Sequence, residues 1–151
     1  MLAFSEHLLG VAWLTSPLQW AGVDPLGAYN VAFVASWMLG GVTAWALGYE
    51  LTGRFDAALV GSAVFAFAPY RAAQLSHLQV LTAYWMPLAL MALHRYVRTG
   101  TARWLGVFGC AWLAQGLSNG YFLVFFGVLA AGWALWFGAM RGRWMKVAGI
   151  A

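Results

Sequence analysis

Long apolar stretches separated by short polar or proline-bearing interruptions account for most of the chain. The clearest run covers positions 26–48, opened by Asp24 and Pro25 and closed between Glu50 and Arg54. An aspartate there can cap orphan N–H groups, and a proline in the first turn loses no hydrogen bond. A second run starts after Asp56 and meets Pro69, and a third, from 78 to 97, contains Pro87, where the pattern predicts a kink. The fourth ends at Ser118-Asn119-Gly120, a turn signal, and the fifth ends before Arg141, Gly142 and Arg143.

A hydrocarbon core about 30 Å thick needs roughly 20 residues of helix, since backbone groups there must be paired within the chain. The runs therefore predict spans near 26–48, 56–70, 78–97, 103–118 and 121–139, with residues 24–151 forming the bundle. Residues 1–23, with Glu6 and His7 near the start and Pro17 as a breaker, predict an extracytoplasmic interfacial segment. The expected fold class is all-α: a polytopic transmembrane helical bundle with an N-terminal interfacial helix.

Alternating five spans provides an independent check. Arg54, Arg95, Arg98, Arg103, Arg141, Arg143 and Lys146 fall on one side and only Arg71 on the other, the bias of a cytoplasmic face. The N-terminus is then extracytoplasmic and the C-terminus cytoplasmic. Composition agrees: 64% of residues are hydrophobic and 8% charged, against about 25% charged in a soluble domain. Mean hydropathy is +0.75. The net charge of +4 is carried by scattered single cations, which cannot form a nucleic-acid-binding stripe. Cys110 is the only cysteine, so neither an internal disulfide nor a cysteine metal site can form. The first residues lack the basic start of a secretory signal, and no phosphate-binding glycine loop followed by Lys-Ser or Lys-Thr occurs.

Polar chemistry collects on the expected external face. On a continuous helix, Arg71, Gln74 and His77 would share one stripe that Tyr84 roughly continues. Arg71 can clamp a phosphate through two charge-assisted bonds, or snorkel to lipid headgroups. His77 can donate to a leaving phosphate, ligate a metal, or simply pair with Gln74. Asn119 and Tyr121 line a cavity if their turn dips below the surface, with Gln115 one turn earlier extending that face or packing between helices. Glu6 and His7 are weak candidates for a divalent metal, each needing ligands from another segment. Glu6 and His77 are the weak catalytic candidates.

Four strings resemble the GT-C glycosyltransferase superfamily of polytopic membrane proteins: LAFSEHLLG at 2–10, AYNVAFVASWMLGG at 28–41, FAPYRAAQLSHLQVLTAYWMPLALMALHRYV at 67–97 and LSNGYFLVFFG at 117–127. The resemblance implies a bacterial inner-membrane enzyme that moves a sugar from a polyprenyl-phosphate donor to an extracytoplasmic acceptor, with membrane lipids as surroundings. It also implies a catalytic acidic residue after a first helix that precedes the part resembled here, so the chain reads as an internal or truncated portion, with additional helices of the protein as partners. A permease or flippase fragment and a non-catalytic structural subunit are the alternative readings.

Overall fold

The computed structural model describes residues 8–147, with side chains described as far as Met140. Those residues form an all-α bundle of eight helices: α1 Leu9–Trp20, α2 Pro25–Thr52, α3 Phe55–Ala66, α4 Pro69–Ala73, α5 Leu78–Leu81, α6 Trp85–Thr99, α7 Ala102–Ser118 and α8 Gly120–Val147. Two of them, α2 and the Gly120–Met140 stretch of α8, are long and apolar enough to cross a bilayer. The second, third and fourth runs yield helices of 12, 15 and 17 residues, shorter than the roughly 20 that a perpendicular crossing takes.

Local chemistry explains most of the boundaries. The Asp24 carboxylate accepts from the N–H groups of Leu26 and Gly27 at 3.0 Å, and Pro25 follows as the first residue of α2. Gly53 and Gly100 end α2 and α6 with φ of 65° and 69°, left-handed conformations that cost a residue bearing a Cβ. Pro69 drives Ala68 into extended geometry (ψ 134°), so the second run breaks at Ala66 and restarts as α4.

Pro87 behaves differently from the expected kink. The third run is divided at Thr82–Tyr84, and Pro87 becomes the third residue of α6, where the N–H it lacks has no intrahelical acceptor in any case. The fifth run also departs from expectation: α8 continues past Arg141 to Val147, because Arg and Lys end apolarity without ending helix propensity.

Small residues let the helices approach closely. Ala28, Ala32, Ser36 and Gly40 form a buried ridge at four-residue spacing on α2, and Ala58, Ser62 and Ala66 do so on α3. A Cβ on Gly48 would sit 3.1 Å from the Ala58 Cα, so the α2–α3 crossing depends on a bare backbone there. The larger core lies between α6, α7 and α8, where Ala89, Leu90, Leu93, Phe108, Ala111, Phe126 and Ala130 pack together. Helix α2 also packs against α6, joining the two halves.

Helix α1 docks against the rest of the bundle. Helix α1 packs on both α2 and α7, with Val11 against Ala32 and Leu78, and Gly10 pressed against Ser118 and the Ala114 carbonyl. Gln19 and Pro25 line one groove with Val11 and Ala28, so α1 runs antiparallel to the first turns of α2.

Candidate functional site

Residues 67–84 connect α3 to α6 through two short helices and irregular turns. Their level in the bundle follows from their contacts on α2. Phe67 meets the Trp37 ring at 5.8 Å, Arg71 reaches Ser36 and Trp37, and Leu78 packs against Ala32. The break after α3 therefore lies beside the middle of α2, and the chain works back toward the N-terminal end of that helix.

Arg71 is the centre of this region. Its side chain turns inward and the residue is only 4% exposed. The Nη2 group donates to the Ser36 carbonyl at 3.2 Å, and the guanidinium lies over Trp37 at 5.1 Å and Phe65 at 5.7 Å. Nη2 would stand 3.5 Å from a Cβ on Gly40, which leaves little room for a larger side chain there. Nε and Nη1 are buried and meet no acceptor among the described residues. Aromatic faces offset part of the desolvation of a cation, but two N–H directions without acceptors leave a site complementary to an anion.

The expected stripe of Arg71, Gln74 and His77 does not form, because α4 ends at Ala73 and the following residues turn. Gln74 is half-buried and closes that turn by donating its N–H to the Arg71 carbonyl. His77 is exposed, and its Nδ1 pairs with the Ser76 hydroxyl at 3.0 Å. Tyr84, the expected continuation, is 2% exposed and its ring is tilted at 47° to that of Trp85.

Asn119 and Tyr121 also separate. Asn119 is buried, and its Oδ1 accepts from the Tyr121 N–H at 3.0 Å, which starts α8, while the Tyr121 side chain is 71% exposed. Beneath them Gln115 is fully buried, and neither Oε1 nor Nε2 finds a partner among the described residues. Glu6 and His7, the candidates for a divalent metal, lie outside the described residues, and among the described residues no group of three or more His, Cys, Asp or Glu side chains gathers.

The opposite end holds chemistry that the sequence pattern did not reveal. Glu50, with its side chain 12% exposed, accepts from Arg95 Nε at 2.7 Å and Arg98 Nη1 at 2.9 Å. The Arg95 guanidinium also covers Trp104 at 4.5 Å, and Arg103 stacks on the same ring at 5.0 Å. At the start of α3 the Asp56 carboxylate pairs with Arg54 and raises the pKa of its guanidinium. The arginines that read as isolated are partly joined across three helices, and with 45 residues between Glu50 and Arg95 no local signal in the sequence marks the pairing. His94 was missed as well: it is buried on α6, edge-on to Phe137 at 4.6 Å.

Protein-family models, curated proteins and solved structures were each compared with the chain, and none of them matches.

Proposed function

We propose that this chain is the membrane-embedded portion of a glycosyltransferase that uses a polyprenyl-phosphate-linked sugar, with Arg71 holding the donor phosphate. The observation that carries the reading is the buried Arg71 guanidinium, of which Nε and Nη1 lack acceptors. Phosphate offers planar-matched oxygen pairs to such a group, and a charge-assisted bond formed away from water is stronger than its surface counterpart. Arg71 falls within the string at 67–97 that resembles the GT-C superfamily.

A bacterial inner-membrane setting is supported by the outward faces of the helices. Leu26, Val34, Met38 and Val42 of α2, Val60 and Val64 of α3, and Val124, Phe125, Val128 and Trp136 of α8 are all exposed. Such a surface is larger than the apolar patches that water-soluble monomers tolerate. The ion-paired end with Glu50, Arg95 and Arg98 is the cytoplasmic one in this arrangement, and the end carrying α1, His77 and Asn119 is extracytoplasmic.

The test is Arg71→Gln and Arg71→Met in the intact protein. Donor affinity and turnover are expected to fall about tenfold or more, the size of a lost charged hydrogen bond. Folding stability should hold or rise, since a poorly paired buried cation is removed. Unchanged donor use, or a collapse of stability equal to the loss of activity, overturns the assignment.

The depth of Arg71 supports a second reading, an anion permease. Ser36 is eleven residues into α2, about 17 Å along its axis. Broken helices around an ionisable group at such depth are a transporter arrangement. Anion flux into sealed vesicles, abolished by Arg71→Gln and independent of sugar transfer, would select it.

A further inference from the structure

The end of the bundle that carries Glu50 holds more cation than carboxylate. Arg54 is matched by Asp56, but Glu50 alone serves both Arg95 and Arg98. Arg103, in the first turn of α7, pairs with no carboxylate among the described residues. It is held all the same, because its guanidinium lies over the Trp104 ring at 5.0 Å, the ring that Arg95 covers at 4.5 Å. Stacking fixes the plane of a guanidinium and leaves its N–H edge unused, the posture that receives two oxygens of a phosphate. Arg98 offers a second such edge: Glu50 engages its Nη1 alone, and its side chain is 60% exposed.

What lies next to these cations selects the ligand. Gly106, Cys110 and Leu113 follow Arg103 at helical spacing on α7, and all of them are exposed. Leu105 and Val107 flank this strip and are exposed too, and a Cβ on Gly106 would meet nothing within 4 Å. A soluble phosphate or an acidic peptide would leave such a strip bare, whereas a phosphate that carries hydrocarbon covers it. We propose that Arg98 and Arg103 hold the headgroup phosphate of an anionic two-chain phospholipid of the adjoining leaflet. Trp104 then lies at headgroup level, and the acyl chains run along Gly106, Cys110 and Leu113. The excess of positive charge disfavours the cationic headgroup of a zwitterionic lipid. This inference rests on the membrane setting and not on Arg71, which reaches the middle of α2, whereas Glu50 is in the last turn of that helix.

The experiment adds dioleoyl-phosphatidylglycerol or dioleoyl-phosphatidylcholine to the full chain in detergent micelles and measures the bound lipid by native mass spectrometry. Phosphatidylglycerol is expected to bind about tenfold more tightly. Arg98→Gln and Arg103→Gln should each weaken it about fivefold, the size of one arginine's attraction to an anionic lipid surface. Phosphatidylcholine binding should stay within about twofold in both variants. Arg98 and Arg103 are exposed, so the variants should melt with the parent chain, which separates lost binding from lost folding. Arg71→Gln should leave the preference for phosphatidylglycerol intact.

Equal binding of the two lipids, or a preference that survives both substitutions, overturns the proposal. Loss of the preference in Arg71→Gln would put the anion at Arg71 and overturn it as well. Displacement of the lipid by an equal concentration of glycerol phosphate would make the site one for a soluble phosphate, with the same result. Alkaline carbonate extraction of membranes containing the chain separates the two levels of failure. A chain released into the wash sinks the membrane setting and the lipid site together; a chain that stays and binds both lipids alike sinks the site alone.

Discussion

At the scale of single residues, the small side chains matter as much as the charged ones. Gly10 lies where any Cβ would overlap Ser118 Oγ and the Ala114 carbonyl, both belonging to α7. Gly61 has open space around it on an exposed turn of α3. Gly10→Ala should therefore destabilise the docking of α1 by about 1–3 kcal/mol, the range for overpacked contacts. Gly61→Ala should be neutral or slightly stabilising, since alanine is the better helix former. Thermal denaturation of the two variants side by side checks this; equal melting temperatures would mean that α1 does not bear on α7. Arg71 teaches a related lesson about residue type: a lysine would keep the charge but lose the planar fit between Trp37 and Phe65.

At the scale of elements, the helices are tied at their two ends by different physics. The end with Glu50 is joined by charge: one carboxylate receives two arginines of α6, and one of those covers a tryptophan of α7. The Glu50 side chain is 12% exposed and that of Arg95 35%, so this pair is less screened than a surface pair. A double-mutant cycle with Glu50→Gln and Arg95→Gln should give a coupling of about 1–2 kcal/mol, between exposed and buried ion-pair values. Additive effects would show that α2 and α6 are held here by apolar packing alone. The other end is joined by small-residue contact and by the irregular segment from Phe67 to Tyr84. Sequence spacing correctly marked Asp24 and Pro25 as a helix start, because both act within one turn. It misread Pro87, because whether a proline bends a helix or begins one depends on where the preceding residues cease to be helical.

At the scale of the whole molecule, exposed polar groups such as Ser76, His77, Arg98 and Thr101 lie toward two ends, while Arg71 is buried beside the middle of α2. In sealed inside-in vesicles, with Cys110 replaced by serine, Ser76→Cys and Thr101→Cys should label with a membrane-impermeant maleimide from opposite sides; both positions are exposed. Equal labelling of both from one side would remove the proposed arrangement in the membrane. The apolar runs, the turn at Asn119 and the α2 cap were all legible in the chain, because each depends on composition or on neighbours within about four positions. A helical stripe of Arg71, Gln74 and His77 was equally plausible on spacing, yet the helix stops at Ala73. Nothing local to those residues says that Arg71 will turn inward.

What the amino-acid order determined by itself was an all-helical chain with apolar segments and their principal punctuation. Tertiary structure alone decided that α3 halts beside the middle of α2, that Arg71 is buried between Trp37 and Phe65 with donors to spare, and that Glu50 gathers Arg95 and Arg98. The reason is range. Propensity, capping and hydropathy act over a few residues, whereas the burial of a cation or the meeting of a carboxylate with arginines 45 and 48 positions away follows from which helix surfaces fit together.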